Sequence, residues 1–240
     1  MALYLFKHEP PARLEHVDSV ASVYRHLRQI IVLPEVFKLS LYLLVYPLAF
    51  VASDKALHLR LIEAGFSKEY LATMGLAALP LSVGFAVLTG RWSRTGRPMS
   101  GPFFAGNVIR LATGLSGMGL LWLVGDRPQS SPSLALTALT FGLVAVGTLG
   151  STMVFVSGCA FYNEISPKSI GGTYLTMLNT VSNLGKSWSA PAVLALIDLL
   201  GFGIVNLALL TGGAFLVATR PYLKRIETQD KRAWSNEGKV

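Results

Sequence analysis

The chain has 240 residues, only 14% of them charged, with a mean hydropathy of +0.50. Ordinary soluble chains carry about 25% charged residues, and here the apolar residues fall in runs of membrane-spanning length, which excludes a soluble domain. The net charge of +8 suits loop lysines and arginines that fix orientation in a bilayer; no motif for binding nucleic acid accompanies it.

The expected fold class is all-α, a polytopic membrane bundle of six transmembrane helices spanning residues 34–222, with a basic tail over 223–240. The opening MALYLFKHEPP holds too short an apolar stretch for a signal peptide. Leu14, Val17, Tyr24, Leu27 and Ile31 then recur at helical spacing, with Arg25, His26 and Arg28 on the other side. This segment is read either as a helix lying flat on the membrane or as a connecting helix packed on the bundle. The first span is expected at Pro34–Ser53, the second at Tyr70–Thr89 and the third at Pro102–Val124. The fourth lies within Pro132–Tyr162, longer than a bilayer needs. The fifth is Thr173–Leu200 and the sixth Phe202–Thr219.

Six spans bring both termini to one side. That side receives fourteen of the 21 lysines and arginines and the opposite side four, with Lys38, Arg110 and Lys186 inside spans. The positive-inside rule therefore puts both termini in the cytosol.

The fifth span is unusually polar. Thr176, Asn179, Asn183 and Lys186 are spaced by three, four and three, which places them on one face of a helix. Leu175, Leu178, Val181 and Leu184 cover much of the rest. Such a stripe suits a watery cavity, or partner helices that accept its hydrogen bonds. For Asn179 and Asn183 both readings stay open: interhelical glue or solute contact. Gly171, Gly172 and Gly185 permit close helix approach or local unwinding, and Pro191 is an expected kink. Trp188 is read as an interfacial anchor or as packing.

Lys186 lies thirteen residues past Thr173, about 20 Å along a helix at 1.5 Å per residue. It needs a water-filled cavity or an acidic partner. The acidic residues are expected almost entirely in loops, so a partner for Lys186 is expected from outside the chain. Arg110 is the second deep charge, roughly 12 Å into its span. In a cavity its planar donors suit phosphate or carboxylate; the alternative is snorkelling or bonding to backbone carbonyls. Lys38, near a span end, is expected to snorkel. With Asn107 and Tyr174, these residues make the candidate substrate-binding set: Arg110, Asn107, Tyr174, Thr176, Asn179, Asn183 and Lys186. There is no paired-carboxylate site, no embedded His–Cys cluster and no phosphate loop. No catalytic residue, metal ligand or cofactor is expected, and Cys159 is read as a packing thiol.

The segment SPKSIGGTYLTMLNTVSNLGKSW, residues 166–188, resembles the signature of the acetyl-coenzyme A transporter family of the major facilitator superfamily. Ile170 through Gly185 match it nearly without a gap. The stretch 52–81 is also similar, through Asp54, Leu61, Glu63, Gly65, Lys68, Glu69, Leu71, Ala72 and Pro80, and Arg110 falls at an arginine of the family's ninth helix. The likeness covers about Ile31 to Leu200. Lys186 and Ser187 depart from the family's Gly-Asn, so the role of Lys186 rests on depth alone. The loop 90–98 resembles the superfamily's basic motif only weakly.

The resemblance implies that the six spans are helices seven to twelve of a twelve-helix transporter, with residues 1–33 the end of a preceding helix and a cytosolic linker. It implies alternating-access import of acetyl-CoA from the cytosol into the endoplasmic reticulum lumen. The implied partners are acetyl-CoA or a related anionic solute, the lipid bilayer, and a missing N-terminal six-helix half or a second copy. Alternatives are a muropeptide-permease-like carrier of a sugar-peptide, or a half-protein acting as a membrane scaffold or regulator. A membrane acetyltransferase ranks third, for want of an embedded histidine or acid.

Overall fold

The computed structural model describes residues 25, 28–63, 65–124, 133–167, 170–201 and 203–234. The expected preceding helix, most of the linker with its amphipathic segment, Arg127, Lys168 and the last six residues lie outside them. Every regular element among the described residues is helical.

Helix α1 (Pro34–Val45) opens on a proline at its first position, where the missing N–H would have had no helical partner anyway. The path bends at Tyr46–Pro47 because Pro47 cannot donate to the turn before it. Helix α2 (Leu48–Glu63) takes over, with Phe50 and Val51 N–H both bonding to Pro47 O. No proline or glycine follows until Gly65, so α2 continues ten residues beyond the expected span end at Ser53.

Gly65, at φ 100, makes the turn that follows, and Ser67 accepts from Tyr70 N–H to cap α3 (Lys68–Ala77). Helix α4 (Leu79–Ser93) follows directly, with Pro80 in its first turn. One π-helical turn, Met99–Phe103, leads into α5 (Phe104–Val124). Ser133 caps α6 (Leu134–Ile165), whose 32 residues exceed the bilayer's need, as expected. Helix α7 (Gly171–Leu200) stays helical through Pro191 and ends at Gly201, φ 75. Helix α8 runs from Gly203 to Glu227, past the expected end of the sixth span.

Four helical stretches among the described residues are long and apolar enough to cross a membrane: Pro34–Glu63, Lys68–Ser93, Leu134–Ile165 and Gly203–Glu227. Six were expected. Helices α5 and α7 have the length, at 21 and 30 residues, but neither is among the four; in α7 the polar stripe interrupts the apolar run.

One end of the bundle is an aromatic core. Tyr42 stacks on Tyr46 with centroids 5.5 Å apart and on Phe215 at 5.9 Å, and Phe103 tilts against both tyrosines. Trp234, beyond α8, is fully buried edge-on to Phe161 at 5.7 Å. Glu227 reaches the start of the π turn, where its carboxylate accepts from Met99 N–H, from Ser100 N–H at 2.8 Å and from the Ser100 hydroxyl. A carboxylate there meets unpaired backbone donors at a helix start. Two smaller apolar clusters sit apart, around Val193, Ile197, Val205 and Leu209, and around Leu61, Phe66, Leu71 and Met74.

Glycines set the helix spacing. Gly106 of α5 faces Gly150 of α6 so closely that a Cβ on Gly106 would lie 2.7 Å from Gly150 O, and one on Gly150 2.9 Å from Gly106 O. Gly185 of α7 lies against the Leu43 carbonyl, at the turn that Pro47 opens, and a Cβ there would overlap that oxygen. Trp188, one turn on, donates its indole N–H to Leu44 O at 3.1 Å. Small residues allow this approach between membrane helices, and the indole satisfies a carbonyl beside the proline.

Candidate functional site

Lys186, next to Gly185 on α7, lines two cavities that α2 and α5 also border. The larger, about 690 Å³, lies among α2, α4, α5, α6 and α7. It carries the hydroxyls of Ser82, Thr113, Thr148, Ser151 and Thr152 beside apolar Val83, Ala86, Val144, Phe155 and Val156. The smaller, about 590 Å³, is lined by Val51, Asp54, Lys55 and His58 of α2, Arg110 of α5, and Lys186, Ser187 and Ala190 of α7. The four α2 residues are spaced i, i+3, i+4, i+7 and so share one helix face. Asp54, Arg110 and Lys186 line both cavities. Both volumes fall in the range of small-molecule sites, about 300–1,000 Å³.

Arg110 is held on two sides. Its Nη2 donates to Asp54 Oδ2 at 2.8 Å, and its guanidinium lies over the Phe50 ring, 4.6 Å from the centroid. The Arg110 side chain is 11% exposed and that of Asp54 57%, so the cation is anchored in the wall while its counter-ion stands in the open. Arg110 Nε is buried and has no hydrogen-bond partner in the protein. An anchored guanidinium at the cavity wall is suited to a phosphate or carboxylate oxygen.

The seven candidate residues separate. Arg110 and Lys186 meet at the cavities. Asn107, four residues before Arg110, is instead fully buried, its amide donating to Phe103 O at 3.0 Å. Tyr174 is also fully buried, in the aromatic core. Thr176 is exposed and bonds back to Gly172 O within its own helix. Asn179 accepts from the Cys159 thiol at 3.5 Å, a contact between α7 and α6. Asn183 is exposed, and its carbonyl accepts from the Ser187 hydroxyl. Neither asparagine lines the two cavities.

Two expectations about charge are corrected. A carboxylate does pair with Arg110, though not with Lys186: Asp54, expected just beyond the first span, continues the same helix because α2 does not stop at Ser53. Arg110 accordingly bonds to a carboxylate rather than to backbone carbonyls. Lys55 and His58, also expected outside, line the smaller cavity with it. The spacing Val51, Asp54, Lys55, His58 in a segment free of helix breakers was the signal that identifies this face. Lys38 is exposed and pairs with Glu35 at 3.1 Å, in keeping with a residue at a span end.

Among known proteins, the chain is 26% identical over 208 residues to the uncharacterized membrane protein YBR220C of Saccharomyces cerevisiae, covering 77% of this chain and 37% of that protein. It is 31% identical over 186 residues to the uncharacterized protein C21B10.09 of Schizosaccharomyces pombe, covering 78% of this chain and 35% of that one. The chain thus spans little more than a third of the length of the curated relatives it matches. No solved structure matches it. The family model described as acetyl-coenzyme A transporter 1 matches residues 6–134 and 98–210. Together these ranges take in most of the described helices, the three shared cavity residues among them, and the chain belongs to the acetyl-coenzyme A transporter family.

Proposed function

We propose that this chain forms the C-terminal half of a major-facilitator-type carrier that moves acetyl-CoA from the cytosol into the endoplasmic reticulum lumen. In this reading α1–α2, α3–α4, α5, α6, α7 and α8 are six spans, with both chain ends on the cytosolic side. The other half of the pathway comes from a preceding six-helix bundle or from a second copy. Alternating access then proceeds by rocking of the two bundles about a midplane site.

The observation that carries the reading is the placement of Arg110 and Lys186 on two cavities that share them, in a chain of this family. Coenzyme A is polyanionic. A membrane-embedded path for it needs more positive than negative charge along its wall. Asp54 offsets one of the two charges and leaves the site net positive. The open hydroxyl and apolar wall of the larger cavity suits the uncharged part of the same molecule.

The test is uptake into sealed endoplasmic reticulum vesicles from cells carrying the wild-type gene or a single substitution. Acetyl-CoA is supplied with label in the acetyl group or in the adenine. Equal accumulation of both labels is the expected result, with the initial rate falling about tenfold or more in Arg110→Ala and in Lys186→Ala. Entry of the acetyl label alone, or rates unchanged in both variants, overturns the proposal.

A further inference from the structure

The two cavities differ in chemistry although they share Asp54, Arg110 and Lys186. The smaller adds Lys55 and His58; the larger adds five hydroxyls and an apolar wall that includes Val83 and Phe155, and no further charge. From this division, and resting on the reading of the chain as a carrier of an anionic solute, we infer that the site is bipartite. The smaller cavity takes the phosphate-bearing end of the solute, and the larger takes a long uncharged arm with amide or thioester groups.

Lys55 and His58 are nearly one turn apart on α2, with Asp54 beside Lys55 on the same helix face, and Arg110 meets Asp54 from α5. Lys186 closes the compartment from α7. Lys55, Arg110 and Lys186 therefore line one cavity with a single carboxylate, and a phosphate or diphosphate completes the charge balance. In the larger cavity the side-chain hydroxyls of Thr113 and Thr148 donate to carbonyls of their own helices. Their remaining lone pairs accept from amide N–H groups, which suits an arm of peptide-like linkages and not a second phosphate. The shared Arg110–Asp54 pair lies at the junction. Its carboxylate holds the guanidinium and competes with the incoming anion.

The inference is tested by equilibrium binding to the purified full chain, with inorganic diphosphate as the armless probe and acetyl-CoA as the whole one. Lys55→Gln and His58→Gln should weaken both probes by a similar factor, about three- to tenfold for the lysine. Ser151→Leu, which narrows the larger cavity, should weaken acetyl-CoA about tenfold and leave diphosphate unchanged. Phe155→Ala, an exposed cavity position, serves as a second arm-side variant if Ser151→Leu does not fold. Asp54→Asn should tighten diphosphate, and that gain should vanish in an Arg110→Gln background. If Lys55→Gln leaves diphosphate binding unchanged, or if the arm-side variants weaken both probes equally, the division is wrong. Wild-type vesicles without acetyl-CoA uptake, with the binding pattern intact, would count against the transport reading and leave the bipartite site standing. A wild-type chain that binds neither probe overturns both.

Discussion

The aromatic end of the bundle and its polar middle share helix α7, yet they obey different rules. At the aromatic end α1, α6, α7 and α8 close on Tyr42, Phe103, Phe161, Leu178 and Trp234, all buried. In the middle, α2, α5 and α7 stand apart around Asp54, Arg110 and Lys186, and space opens. The difference comes from what each helix presents. Large rings interlock and exclude space. Charged groups keep their distance from apolar neighbours and demand polar surroundings. The packed end holds the bundle together, so the middle does not have to.

That contrast is open to attack from either side. The largest effect is expected from Phe161→Ala, which removes the ring under Trp234 and should cost about 3 kcal/mol or more. It would be read as a lowered midpoint of thermal unfolding in detergent. Gly185→Ala comes next. Its methyl meets the Leu43 carbonyl rather than a movable side chain, so about 1–3 kcal/mol should be lost, with Lys186 displaced and acetyl-CoA binding reduced as well. Glu227→Gln should cost about 1 kcal/mol, because a neutral amide oxygen is a weaker acceptor for the Ser100 and Met99 donors. Asp54→Asn sharpens the comparison most: the half-open pair with Arg110 should contribute under about 1 kcal/mol to stability, while anion binding changes clearly. Smallest of all, Gly84→Ala in α4 meets nothing within 4 Å and should stabilise by about 0.5 kcal/mol through helix propensity. If Gly84→Ala and Gly185→Ala shift the melt alike, the close approach of α7 to α1 is not what spaces these helices.

Much of the fold was legible in the sequence because its signals are local. Apolar runs announce helices, four of which among the described residues have membrane-spanning length and hydropathy, and helix starts near residues 34, 70, 102, 133, 172 and 202 need only prolines, glycines and capping serines to read. The candidate site was legible only in part. Periodicity put Thr176, Asn179, Asn183 and Lys186 on one face of α7, and in the structure only Lys186 of the four reaches the cavities. A helical face is broad, and its neighbours divide it. Asn179 is claimed by Cys159 of α6, while Thr176 and Asn183 stay exposed away from the two cavities.

Sequence alone determined that this is an all-helical chain with membrane-length apolar stretches, a polar α7 and two deep cations. Only the tertiary structure decided that Asp54 stands against Arg110, across 56 residues of chain. Local pattern sees a residue's own helix, whereas pairing depends on which helix lies opposite and how far it is rotated. Here the arrangement rests on contacts whose partners are not visible locally: Gly185 on the Leu43 carbonyl, Gly106 on Gly150, and the break at Pro47 that sets the direction of α2.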